Sequence, residues 1–381
     1  MRALLLALLA LGLTAAPALA APPKPPAGWP ARLAVGVSDA PGGAPEVRQR
    51  RLAARYQYLA GGVDTGNGWA TWNPDGTFVS RYVAESRRAR VLPVLTYYML
   101  LQSGPPNGGG EDDRVLANLR NARLMGAYYA DLRLALRRAS QAGGRAVLHV
   151  EPDLWGYVQR RARDDDSSTV PAAVASSGDP DLAGLPDTAA GFAQAIVRLR
   201  DRHAPRVLLA WHLSSWGTND SHTANDLAAP RIDALARRSA RAYATLGARF
   251  DLVFNDVADR DDGFRRKVLG EQRPAHHWGR GDVRRHLRYL RRFTAATRRA
   301  VALWQLPLGN RRLPDTHERY RDNRVDLLLG SRRTLRAARA AGVVGLLFGA
   351  GAEGCTTPQT DGGHFYRLAR RLARAPLRLR R

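Results

Sequence analysis

Apolar residues in this chain gather in eight short runs, at positions 33–37, 56–63, 91–98, 146–151, 207–212, 250–255, 301–305 and 343–348. Each run has the length of a buried strand, and most stop at Trp, Asp, Glu, His or Asn. Stretches of helical spacing separate them. In 111–142, Leu116, Leu119, Leu124, Tyr128, Leu132 and Leu136 recur about one helical turn apart before Gly143 and Gly144 end the run. Further helices are expected over 44–55, 77–90, 187–203, 225–247, 282–299, 331–341 and 364–375. Strand then helix, repeated eight times, predicts an α/β fold: a single-domain (β/α)8 barrel over 31–375, closed and parallel, since each intervening segment is long enough for a right-handed crossover. Function in such a barrel sits at the C-terminal ends of the strands, so the polar residues that follow each run are the candidates.

Those strand ends are rich in chemistry. They carry Asp39; Asp64 and Asn67; Tyr97, Tyr98 and Gln102; His149, Glu151 and Asp153; His212, Ser214 and Ser215; Asn255 and Asp256; Gln305 and Asn310; and, after the eighth run, Glu353, Thr356, Asp361 and His364. Three connections are long and polar, 159–186, 256–281 (with Asp259, Asp261, Asp262, His276, His277 and Trp278) and 309–323, and are expected to wall a cleft. Of eight tryptophans, all but Trp29 fall in or just after the runs. Flat aromatic faces stack on pyranose C–H faces, which makes Trp69, Trp72, Trp155, Trp216 and Trp278 candidate sugar platforms, while Trp211 and Trp304, inside strands, fit a core role.

The segment "AVLHVEPDLWGY" at 146–157 is the sharpest local signal. Alternate strand residues face one way, so His149, Glu151 and Asp153 are expected to project together at the mouth, with Pro152 ending the ladder. Paired carboxyls suit glycosidic cleavage, one protonating the leaving oxygen and the other activating water. Salt bridges to loop arginines are the alternative use of the same carboxyls.

Composition narrows the setting. Residues 1–20 combine a basic start, an apolar stretch and Ala18-Leu19-Ala20 ahead of a Pro-rich leader at 21–30, the form of a secretory signal peptide that points to an exported protein with no transmembrane segment. Cys355 is the sole cysteine, so stability is expected to rest on the apolar core rather than on disulfides. The formal charge of +25 is almost wholly arginine, since Lys24 and Lys267 are the only lysines. No zinc-finger, RNP or basic-zipper pattern accompanies it, so nucleic acid is not expected; the Arg-rich end from 367, including the tail 376–381, fits adhesion to acidic cell-envelope polymers.

"VEPDL" at 150–154, after an apolar strand, resembles the E-P-D segment of family-six glycoside hydrolases, secreted cellulases with a modified barrel that invert anomeric configuration. "VLPVLTYYML" at 91–100 and "GAGAEGCTTPQTDG" at 349–362 occupy a similar order. Where that family carries R-D-C, this chain has Gln102-Ser103, and a single cysteine excludes the family's disulfides. The resemblance therefore implies a role for Glu151 and Asp153 alone. In the large retaining clan of barrel glycosidases the seventh strand ends in a Glu nucleophile, where this chain has Gln305.

The leading expectation is thus a secreted glycoside hydrolase without a cofactor, acting on a poly- or oligosaccharide. Glu151 or Asp153 would serve as acid and Asp256 or Glu353 as base. Asp64, Trp69, Trp72, Tyr97, His149, Trp155, His212, Trp216, Asn255, Trp278, Gln305, Asn310 and Asp361 would hold substrate. A non-catalytic sugar-binding barrel, or a metal-dependent hydrolase using His149, Glu151, Asp153 and His212, are the alternatives.

Overall fold

The computed structural model describes residues 21–379 except 106–108, 144, 221, 223–225 and 272–277. The expected signal peptide at 1–20, His276, His277 and the final two arginines lie outside the described residues.

Eight strands close into one parallel barrel in chain order: β1 (Ala34–Ser38), β2 (Ala54–Leu59), β3 (Leu92–Tyr97), β4 (Val147–Val150), β5 (Leu208–Leu213), β6 (Leu252–Asp256), β7 (Val301–Leu306) and β8 (Val343–Phe348). Each strand is parallel to both neighbours, and β1 pairs with β8 to complete the ring. The chief difference from the sequence pattern is β2, which begins two residues before the predicted run and stops at Leu59. Gly61 and Gly62, both at positive φ, turn the chain off the sheet there.

Helices on the outside are α1 (Ala44–Gln49), α2 (Thr77–Arg88), α3 (Glu111–Arg120), α4 (Ala122–Gln141), α5 (Leu154–Arg161), α6 (Ala189–His203), α7 (Ala229–Ala244), α8 (Asp262–Lys267), α9 (Arg280–Thr297), α10 (Arg324–Leu329), α11 (Arg332–Ala340) and α12 (His364–Arg374). The expected single helix over 111–142 is two. Asn121, extended at ψ 105°, accepts the Leu124 amide with its side chain and so caps a new start. From there α4 buries Met125, Tyr128, Tyr129, Leu132, Leu136 and Ala139, three or four residues apart, against the sheet.

Part of the Pro-rich leader belongs to the barrel. The Trp29 indole donates to the Val344 carbonyl at 3.0 Å, and its ring fills the space beside Gly345, where a Cβ would lie 2.7 Å from it. Among the described residues no helix is long and apolar enough to cross a membrane. Cys355 is a buried free thiol. Charge also enters the wall: Arg55, fully buried on β2, bonds Asp39 at 2.7 Å and Glu85 at 3.1 Å and lies 3.8 Å over the Tyr82 ring. Asp39 is thus committed to an ion pair with a buried guanidinium.

Candidate active site

A cavity of about 760 Å³ opens at the C-terminal mouth of the barrel. Its floor and walls come from strand ends: Tyr58 of β2, Tyr98 after β3, Asp153 after β4, His212 of β5, Asp256 of β6, and Trp304 and Gln305 of β7. Beyond the strands, Trp216, Asp259, Arg260 and Trp278 of the loops and Glu111, Tyr157, Arg265 and Arg324 of α3, α5, α8 and α10 add to it.

The E-P-D segment divides rather than converges. Glu151 adopts φ +47°, a left-handed conformation costly for a non-glycine residue, just where strict alternation would have aimed it at the mouth. Its backbone amide still completes the β3–β4 ladder on Tyr97 O, but the carboxyl turns back and accepts the amides of Met99 (3.0 Å) and Leu100 (3.2 Å). Glu151 is 1 % exposed and is absent from the cavity lining. Asp153 emerges into the cavity instead, held by the Tyr98 hydroxyl at 2.8 Å. Burial raises its pKa above the usual carboxylate range, opposed by nearby His212 and by the Tyr98 hydrogen bond and reinforced by Asp256.

Asp256 faces the same cavity and accepts His212 Nε2–H at 3.1 Å. Beneath it, His212 Nδ1 meets His149 Nε2 at 3.0 Å, and His149 Nδ1 meets Thr96 Oγ1 at 3.3 Å. His149 is therefore a buried support and not part of the cavity surface. Burial, and then the neighbouring His212, keep its pKa well below that of a free imidazole.

The expected binding residues separate by the side of the sheet they face. Trp216 and Trp278 line the cavity, as does Trp304, which packs edge-on to His149 with ring centroids 4.8 Å apart. The Trp304 indole N–H is buried at the cavity wall with no partner among the described residues. Gln305, also at positive φ (+51°), lines the cavity and donates to the Tyr58 hydroxyl.

Trp155 does not line the cavity. At 2 % exposure it sits outside the sheet against Phe192, Trp211 and Phe250, its indole on the Val150 carbonyl. Tyr97 and Trp69 both donate to Asp131 of α4, again behind the barrel wall. Trp72 is exposed on the β2–α2 loop, edge-on to Phe78, and Asp64 lies exposed on the same loop, both away from the lining. Asn255 points to the Leu213 carbonyl. Asp361 accepts the Gly363 and Phe365 amides at the start of α12, and Asn310 donates to the Asp361 carbonyl. Glu353 is exposed beyond the cavity.

Of the three loops expected to wall the cleft, 256–281 does so. The segment 159–186 packs back under α4 and α6, with Val170, Val174 and Leu182 buried. The loop 309–323 is tied down by Asp261, whose carboxyl accepts the Gly309 and Thr356 amides, both at 2.8 Å, joining the β6, β7 and β8 loops. The sequence pattern marked Asp259 only as part of the 256–281 loop and did not single out Tyr58, Tyr157 or the three cavity arginines. For Tyr58 a signal existed, since it shares strand parity with the inward Tyr56.

Glu151 carries a prediction of its own. Burial pushes its carboxyl up to about 8, against the Met99 and Leu100 amides, which act to lower it. The folded state therefore binds the proton more tightly than the unfolded chain. The resulting stability is complete below about pH 4.5 and is lost as pH rises through about 8, an effect on the order of a few kcal/mol. Denaturant midpoints of the wild type should fall over that range. Glu151→Gln, which keeps the acceptor oxygen, should fall less; equal slopes would remove Glu151 from the linkage.

The fold and the mouth cavity define a (β/α)8 barrel with an acidic, aromatic-lined C-terminal site. No family model matches the chain, and no curated protein does. Among solved structures it is similar in fold to an endo-β-1,4-mannanase from Cellulomonas fimi, in two structures that both give a TM-score of 0.52. Identity is 11 % to one, a double mutant, and 10 % to the other, and in both the match covers 89 % of this chain and 70 % of the mannanase chain. The second is described as a modular glycoside hydrolase family 26 mannanase. Among the described residues no group of three His, Cys, Asp or Glu side chains is arranged to hold a metal ion; Glu151, one of the four considered for that role, faces away from the others.

Proposed function

We propose that this chain is an exported glycoside hydrolase that cleaves O-glycosidic bonds of a poly- or oligosaccharide, with Asp153 as general acid and Asp256 as base. The observation that carries the reading is that these two carboxyls, from the ends of β4 and β6, line one cavity with the His212 strand between them. Asp153, biased toward its protonated form by burial, protonates the glycosidic oxygen. The bond from that oxygen to the anomeric carbon breaks as water adds, and Asp256 takes the water's proton. That course is the inverting one that the resemblance of 150–154 to family six implies. Trp216, Tyr157 and Trp278 offer faces for sugar rings, and the Trp304 N–H, without a partner among the described residues, offers a donor for a sugar oxygen.

The barrel shared with the C. fimi mannanase supports the reaction class by fold alone, and makes β-1,4-mannan the first polymer to test. Reducing-end release across a panel of neutral and acidic polysaccharides, beside binding to the same panel, tests the proposal. Binding without release would instead support a non-catalytic carbohydrate receptor, a reading favoured by Gln305 standing at the end of β7 and Glu151 facing away. After export, the exposed arginines of α12, Arg367, Arg370, Arg371 and Arg374, are proposed to hold acidic envelope polymers, with retention on such a polymer falling steeply as salt rises.

A further inference from the structure

Four side chains from four successive strands form a continuous hydrogen-bonded column inside the barrel: Thr96 of β3, His149 of β4, His212 of β5 and Asp256 of β6. The two imidazoles are 0 % and 1 % exposed. Apolar and aromatic surface closes around them: Phe254 lies 4.5 Å from the His149 ring, and Trp304 stands edge-on to both histidines. Such packing leaves the two His149 ring nitrogens only their neighbours in the column, among the described residues.

The hydrogens in this column can run in one direction while Asp256 is ionised. A carboxylate only accepts, so His212 carries its hydrogen on Nε2 and leaves a lone pair on Nδ1. His149 must then donate from Nε2, which leaves its own Nδ1 to accept from the Thr96 hydroxyl. The opposite tautomer of His212 would set a bare nitrogen 3.1 Å from a carboxylate oxygen and would require His149 to carry its hydrogen on Nδ1, facing Thr96. An imidazole whose second nitrogen is held by a fixed partner has its tautomer and orientation decided by that partner.

We propose that His149 is a positioning residue: by donating its Nε2–H to His212 Nδ1 it favours the Nε2–H tautomer of His212, and so orients the carboxylate that takes the proton of the attacking water. His149 itself touches neither the cavity nor substrate. The proposal rests on Asp256 being the base, as set out above.

The test separates positioning from folding. His149→Leu removes the donor to His212, whereas His149→Gln retains an amide N–H at a similar reach. On the glycan that the wild type cleaves, kcat should fall roughly 10- to 100-fold in His149→Leu with KM little changed, and His149→Gln should recover a large part of the loss. Nitrogen-15 spectra of the imidazoles, recorded without substrate, should show His212 wholly as the Nε2–H tautomer in the wild type and as a mixture in His149→Leu. Loss of kcat in step with loss of folded protein, and equal in both variants, would make His149 a packing residue and overturn the proposal. So would a His212 that is Nδ1–H in the wild type. Because the spectra need no turnover, they stand apart from the reading of Asp256: a fixed His212 tautomer together with an active Asp256→Asn would retire that base and not the column.

Discussion

Asp153→Asn and Asp256→Asn are each expected to lower hydrolysis of the cleaved glycan by roughly 100-fold or more while binding persists. The amides keep shape and most hydrogen bonds, including the bond from Tyr98 to residue 153, but neither can carry the transferable proton. Both residues are partly exposed to the cavity, so melting temperatures should change little. Glu151→Gln is the contrasting case. With its carboxyl buried on the Met99 and Leu100 amides, it should retain turnover within a few-fold while altering the pH dependence of stability described above. Steady-state rates and binding constants for the three variants decide the matter. Near-wild-type turnover in both aspartate variants would end the proposed mechanism, and a collapse confined to Glu151→Gln would return the acid to that residue.

Trp155→Ala should cost about 3–5 kcal/mol of stability and leave glycan affinity in the surviving folded protein unchanged. The ring is packed between Phe192, Trp211 and Phe250 behind the β4–β5 wall, and removing it leaves a void that those neighbours can close only in part. Trp216→Ala should do the reverse. Its ring lies at the cavity over Gly156, where an added Cβ would come within 2.3 Å of the indole, and is covered by the Arg160 guanidinium at 4.5 Å. Loss of that face should weaken oligosaccharide binding about 10-fold, with under about 1 kcal/mol lost in stability. Calorimetric binding beside thermal unfolding distinguishes the two. A stability loss in Trp216→Ala as large as that in Trp155→Ala, with binding intact, would move Trp216 into the core.

The sequence determined the eight strands, the helices between them and the end of the barrel that carries the site. These follow from local periodicity: a parallel strand buried on both faces is a short apolar run whatever its neighbours are, and polar residues accumulate where the run leaves the sheet. It also marked 146–157 and the sixth strand end, which supply Asp153 and Asp256 to the cavity. The tertiary structure decided which way each of these residues looks. Trp211 and Trp304 are both strand tryptophans, yet ring closure turns one against Tyr243 and Phe293 outside and the other onto His149 and His212 within. Alternation fails at Glu151 because a single left-handed residue before Pro152 reverses the side chain, and no pattern of residue types encodes that turn. Tyr97 faces the helix layer because it alternates with the inward Thr96, and Trp155 because it lies on α5, packed against Phe192, Trp211 and Phe250. The column from Thr96 to Asp256 is a property of the closed ring alone: its members are separated by up to 63 residues between neighbours, and only the barrel's register sets them at hydrogen-bonding distance.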